Sequence, residues 1–188
     1  MNKNLKTGFA LLALTLGLTL TAHAQKVEYG IKAGAQYSSF SYGNKSIKDE
    51  AGKIGAHIGV FARTTEKLYF QPELNFSMFK AKYTYESKVY TPKFYQANLP
   101  LQVGYKVLEK DDLNLRVSAG PQLNYDLKKV KATATTSFKQ LSYDALINVG
   151  ADVEKFTFDL RFNYGLNKRN KDLGARNETY GLSVGYKF

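Results

Sequence analysis

From Val27 onward the sequence alternates apolar and polar residues with a period of two, in eight separate stretches, and few architectures accommodate that pattern. Val27, Tyr29, Ile31, Ala33, Ala35 and Tyr37 share one face, while Glu28, Lys32 and Gln36 share the other. Successive side chains of a strand point to opposite faces, so this is the reading of a strand with one apolar side, and no helical window competes with it. A second stretch sets Ile54, Ala56, Ile58, Val60 and Ala62 against Lys53, His57 and Arg63. A third opposes Leu68, Phe70, Leu74, Phe76 and Met78 to Tyr69, Gln71, Glu73 and Asn75, and a fourth opposes Leu99, Leu101, Val103 and Tyr105 to Asn98, Gln102 and Lys106. The remaining four centre on Leu113–Leu123, Tyr143–Ala151, Phe156–Tyr164 and Tyr180–Phe188, with Leu146 the one apolar residue out of phase.

The connections alternate too. Those near 64–67, 108–112 and 154–156 are short, and those near 41–52, 83–93, 127–139 and 167–177 are long and polar. Tight turns at one end and long loops at the other describe an up-and-down barrel in an outer membrane. The expectation is therefore an all-β chain, an eight-stranded antiparallel transmembrane barrel, even though mean hydropathy is only −0.37. A soluble lipocalin-like or avidin-like barrel has the same period with its faces inverted. The apolar face decides between them, because its aromatic residues gather near strand ends (Tyr29 and Tyr37, Tyr95 and Tyr105, Tyr180 and Tyr186) and its middles are aliphatic. Amphipathic rings favour the headgroup level, which gives membrane barrels two aromatic girdles.

The polar face then faces the lumen. It carries Lys32, Lys53, Arg63, Lys106, Arg116, Arg161 and Lys187 against Glu28, Glu73, Asp126, Asp144, Asp152, Glu154 and Asp159. An eight-stranded barrel is filled by its own side chains, and buried charges must be paired. A plugging network is expected from Lys32, Lys53, Glu73, Arg116, Asp144, Asp152, Asp159, Arg161 and Lys187. The rest of the net +11 charge falls largely on the long loops, where Lys128, Lys129, Lys131, Lys168, Arg169 and Lys171 are candidates for contact with anions such as lipopolysaccharide phosphates. Equally, those cations can serve only to keep loops solvated.

Residues 1–24 read as a cleaved export signal: Lys3 and Lys6, then an apolar run from Phe9 to Leu20, then Ala22-His23-Ala24. A membrane anchor helix is the alternative, and the run is short for the roughly 20 residues that such a helix needs. Residues 25–188 are then one barrel domain. The chain has no Cys, which removes a lipid-modified N-terminus, thiolate metal ligation and disulfides.

In order along the chain stand Gly-Ile-Lys-Ala-Gly (30–34), Gln-Pro-Glu-Leu (71–74), Asn-Leu-Pro-Leu (98–101), Ala-Gly-Pro-Gln-Leu (119–123), Asn-Tyr-Gly-Leu (163–166) and a terminal Gly-Tyr-Lys-Phe (185–188). This series resembles the Bacteroidetes-type outer-membrane β-barrel domain family, the porin-family or PorT-like small barrels. The resemblance implies location in the cell outer membrane among outer-membrane lipid and lipopolysaccharide. It also implies recognition of the terminal Phe188 by the barrel-assembly machinery. It implies no reaction, and its PorT-like members suggest an accessory role in secretion. Pro72, Pro100 and Pro121 cannot donate ladder hydrogen bonds, so each is expected at a bulge or strand end.

Chemistry-bearing constellations are scarce. His57 is the one histidine after the signal; alone it neither builds a metal site nor makes a triad. No phosphate-binding glycine loop is present, and no cofactor is expected. The positive charge could suggest nucleic acid, which an exported membrane barrel does not meet. Two function classes remain: a non-catalytic structural and interaction barrel, with its external partner unnamed, and a small porin-like solute channel. A lipid A-modifying enzyme is a weaker third.

Overall fold

The computed structural model describes residues 26–41, 48–85, 88–131, 137–170 and 174–188, with backbone alone at 48–51, 83, 85 and 88. The signal reading at 1–24 and the loop cation Lys171 lie outside the described residues. The described chain forms β1 (Val27–Ser41), β2 (Lys48–Thr64), β3 (Leu68–Tyr85), β4 (Lys88–Tyr90), β5 (Lys93–Lys110), β6 (Leu113–Asp126), β7 (Leu141–Val153), β8 (Phe156–Gly165) and β9 (Arg176–Lys187). Every long strand pairs antiparallel with its neighbours in sequence, and β1 pairs with β9, from Gly30↔Lys187 to Ser41↔Arg176. Eight long strands thus close into a barrel. The three-residue β4 extends the top of β3 through Tyr83↔Tyr90.

The faces are those of a membrane barrel. On β8, Phe158 and Leu160 are exposed while Asp159 and Arg161, which alternate with them, are buried. On β1, Ile31 is 49% exposed and the adjacent Lys32 only 2%. Outward aromatics at the turn end include Tyr29, Tyr105 and Phe156, and at the loop end Tyr37, Tyr125, Tyr143 and Tyr180. Ile58, Val60, Leu74, Val149, Leu160 and Leu182 lie outward between them.

Three features depart from the sequence expectation. First, the strands climb further at the loop end: β2 begins at Lys48, β3 runs to Tyr85, and β4 and β5 occupy much of 88–93. Tyr83, Thr84, Tyr85, Val89 and Tyr90 are aromatic or β-branched and suit strands; their setting reads as loop only because it is polar outside the bilayer. Second, the prolines mark neither bulges nor ends. Register shifts occur at Lys48/Ala51 and Gly52/Ala56 on β2, and at Lys106/Leu108 on β5. Pro72, Pro100 and Pro121 keep register but interrupt one ladder each. The β2–β3 ladder stops at Phe61↔Glu73, the β3–β5 ladder skips from Pro72↔Leu101 to Asn75↔Asn98, and the β5–β6 ladder skips from Pro100↔Gln122 to Val103↔Ala119. Each missing N–H lies toward the preceding strand, and β6–β7 runs unbroken through Pro121↔Ala145. Third, Glu154, expected on the lumenal face, lies exposed in the β7–β8 turn with φ 51°, in the left-handed region.

Candidate functional site

The lumen is packed in layers, because inward positions on neighbouring strands come to the same height. At the turn end lie Phe61, Arg63 and Tyr69, buried to 4%, 1% and 1% exposure. The Arg63 guanidinium sits over both rings, 5.2 Å from the Phe61 centroid and 5.6 Å from that of Tyr69. It donates to Gln71 Oε1 at 2.5 Å and pairs with Asp152 at 2.5 Å.

Above this floor runs a continuous charge network. Asp152 also pairs with Arg116 at 3.0 Å and Lys187 at 3.7 Å. Arg116 reaches Asp159 at 2.7 Å, and Lys32 bridges Asp159 at 3.2 Å to Glu73 at 3.1 Å. Arg161 reaches Glu73 at 2.7 Å, and the same carboxylate accepts from Gln71, Gln102 and Asn75. Arg116 lies flat over Gly150, its partner on β7; a Cβ there would come within 2.5 Å of the guanidinium carbon. Paired and hydrogen-bonded in this way, the ions meet the condition for burial.

Seven of the nine expected network residues therefore meet: Lys32, Glu73, Arg116, Asp152, Asp159, Arg161 and Lys187. Two do not. Lys53 is exposed at the loop end of β2, where the register shift lies, and has no ion pair among the described residues. Asp144 is fully buried but stands apart from this network, accepting from Asn177 at 3.3 Å. Of the other polar-face residues, Lys106 binds the Thr65 carbonyl and Glu109 at the rim, and Glu154 is an exposed turn residue.

A polar chamber of about 30 Å³ follows, lined by Gln36, His57, Asn98 and Thr179 among others, and bordered by Asn75 Oδ1, Asn163 Oδ1 and Arg161 Nε, which have no hydrogen-bond partner among the described residues. That volume suits a water molecule and no lipid chain. His57, enclosed here, faces away from the lipid.

The loop end is stoppered by a cluster that the sequence reading missed. Phe40, Phe79, Phe94 and Phe138 are all 3% exposed or less and pack with Val130 and Ala175. Phe79 stacks on Phe94 at 4.9 Å, and Phe40 on Phe138 at 5.4 Å. Arg169, expected among the loop cations that meet external anions, instead turns inward and is 0% exposed. Its guanidinium lies 4.8 Å from the Phe94 centroid and 5.6 Å from that of Phe40, and it pairs with Asp126. Burial lowers its pKa from the ordinary value, while Asp126 and then Asp144 oppose that shift. One backbone bond ties the two covering loops together, Lys139 N–H donating to the Arg169 carbonyl at 2.7 Å, and a second closes the β8–β9 loop on itself, Arg169 N–H donating to the Ala175 carbonyl at 2.8 Å. Phe40, Phe79 and Phe94 do follow the inward phase of their strands, and that phase is the signal that could have found them.

Outside the lumen, Lys128, Lys129, Lys131, Lys139 and Lys168 are exposed at the loop end. Lys80 and Lys93 join them on the outer wall; both lie in segments assigned to strands only by the structure. Phe188 is 73% exposed at the turn end, its N–H donating to the Tyr29 carbonyl at 3.0 Å.

The family model described as outer membrane protein beta-barrel domain matches residues 23–169. No curated protein matches this sequence. Among solved structures, the chain is similar to the Neisserial surface protein A (TM-score 0.59, 16% identity, covering 87% of this chain and 100% of that one). It is also similar to Ail, the attachment invasion locus protein of Yersinia pestis, solved with the heparin analogue sucrose octasulfate (TM-score 0.52, 14% identity, 87% and 99% covered). The outer membrane enzyme PagL is a third (TM-score 0.51, 9% identity, 81% and 98% covered).

Proposed function

Because the chain belongs to the outer membrane protein β-barrel domain family and is a small outer-membrane barrel, we propose that it is a non-catalytic interaction barrel whose cationic rim binds lipopolysaccharide. One observation carries this reading. The barrel spends its lumen on closure, floor to stopper, and leaves Lys128, Lys129, Lys131, Lys139 and Lys168 exposed at the end facing outward. Long loops of such barrels are external, so these cations stand where lipopolysaccharide phosphates lie, and ammonium groups there attract anions. The barrel solved with a heparin analogue makes the fold compatible with a polyanion partner. The six motifs described above support a place among Bacteroidetes-type small barrels, and exposed Phe188 supports delivery by the barrel-assembly machinery. A channel finds no support in a lumen filled by ion pairs, and a lipid A-modifying enzyme finds none in a His57 that lines a small polar chamber inside the barrel.

The test is titration of purified lipopolysaccharide onto the barrel in phospholipid nanodiscs at rising salt. Surface pairing is screened with a Debye length of about 10 Å at 0.1 M and about 3 Å at 1 M, so binding should weaken steeply over that range. Absent or salt-insensitive binding would remove the proposal.

A further inference from the structure

We infer that the outer wall over β3 and β5 carries a phosphate site for a phosphorylated lipid of the outer leaflet, centred on Lys80 and Lys93. This rests on the reading above, that the rim binds lipopolysaccharide, and assigns the contact to the barrel wall instead of the loops. Lys80 and Lys93 are direct cross-strand partners in the β3–β5 ladder. The adjacent pair, Phe79↔Phe94, stacks inside the lumen, so the lysines share the outward face, and both are exposed. Cβ atoms of directly opposed residues lie about 4.5–5.5 Å apart, close enough for like charges to oppose pairing. Neither lysine has an ion-pair partner among the described residues. Two residues nearer the membrane on the same face is the pair Met78↔Tyr95, a girdle position. The Lys128 ammonium lies 5.3 Å from the centroid of the Tyr95 ring. Leu127 N–H donates to the Tyr95 carbonyl at 2.9 Å, which holds Lys128 beside this wall.

Three cations are thus held by register and backbone around one tyrosine, just above the apolar belt and facing the lipid. Strand geometry, unlike a loop, holds the two charges of the pair together whether or not an anion is present. A phosphate on a membrane-embedded lipid approaches from that side and at that height, receives charge-assisted hydrogen bonds from two ammonium groups, and removes their repulsion. Its acyl chains then lie along the outward face below. A soluble phosphate satisfies the charge but gains nothing from the belt.

The experiment follows thermal unfolding and lipid binding in phosphatidylcholine nanodiscs containing no lipid A, bisphosphorylated lipid A or dephosphorylated lipid A. Without lipid A, Lys80→Gln should unfold at a higher temperature than the unsubstituted barrel, because the like-charge pair is gone. With bisphosphorylated lipid A the order should reverse, and Lys80→Gln/Lys93→Gln should bind it roughly 30-fold more weakly, since each basic residue contributes separately at a membrane surface. Heat-modified gel mobility confirms closure of each variant. Unchanged binding by the double variant, with loss in Lys131→Gln/Lys168→Gln, overturns the wall site and leaves the rim proposal standing. No binding by the unsubstituted barrel defeats the rim proposal itself. Equal binding of dephosphorylated lipid A, or the same thermal shift from inorganic phosphate, overturns a lipid phosphate as the ligand.

Discussion

Arg169 shows how far a single side chain can depart from the reading of its surroundings. It lies between Lys168 and Asn170 in a polar segment with no strand period, so nothing local separates it from exposed neighbours. Its burial follows from tertiary facts: a ring of phenylalanines whose faces attract a guanidinium and a carboxylate at the top of β6. Most buried lumen charges were legible because they sit on strands whose phase is audible over many residues. Arg169 was not, and Lys53 misled because a register shift carries its end of β2 out of the packed lumen. Asp126→Asn leaves the Arg169 guanidinium buried without its ion pair, a change that costs about 3–5 kcal/mol for such pairs. Urea unfolding of the refolded barrel should show that loss. Lys168→Gln beside it, at an exposed site, should change stability by no more than about 0.5 kcal/mol. Equal effects of the two would contradict the inward placement of Arg169.

At the scale of elements, strand number, order and facing were legible because the period of two persists across the bilayer, where one face must be apolar and the other must fill the lumen. Strand length was not. Above the girdle the outward face of β3 and β5 turns polar while their inward face carries the phenylalanines of the stopper, so the apolar-out, polar-in pattern is lost while hydrogen bonding continues. Pro100 and Pro121 misled for a related reason: a lost donor can be tolerated within a ladder that stays in register on both sides of it. Turns are local enough to test directly. Glu154 holds φ 51°, a conformation that costs an L-residue roughly 1–2 kcal/mol and costs glycine almost nothing. Glu154→Gly should therefore stabilise the barrel by up to about 1 kcal/mol after the added freedom of the unfolded chain is counted. A higher midpoint in urea is the expected reading, and a lower one would mean that the Glu154 side chain holds the turn.

At the scale of the whole molecule, closure is redundant. The phenylalanine stopper, the charge network and the Phe61–Tyr69 floor each fill the cross-section at a different height. Planar-bilayer recordings of the refolded barrel should show no stable ion-selective steps. Arg169→Ala/Phe138→Ala, which opens only the stopper, should remain silent because Glu73, Lys32 and Arg161 stay linked beneath it. Stable steps in the unsubstituted protein would restore the channel reading.

The layered lumen has a consequence for the cell. An open pore limits its own abundance, since every added copy raises leakage of small molecules across the envelope. A barrel corked at three levels, if the recordings above stay silent, contributes surface without conductance. Its copy number can rise until crowding or export capacity sets the ceiling, and permeability drops out as a constraint. A lattice of such barrels could cover much of a cell while leaving the membrane as tight as lipid alone.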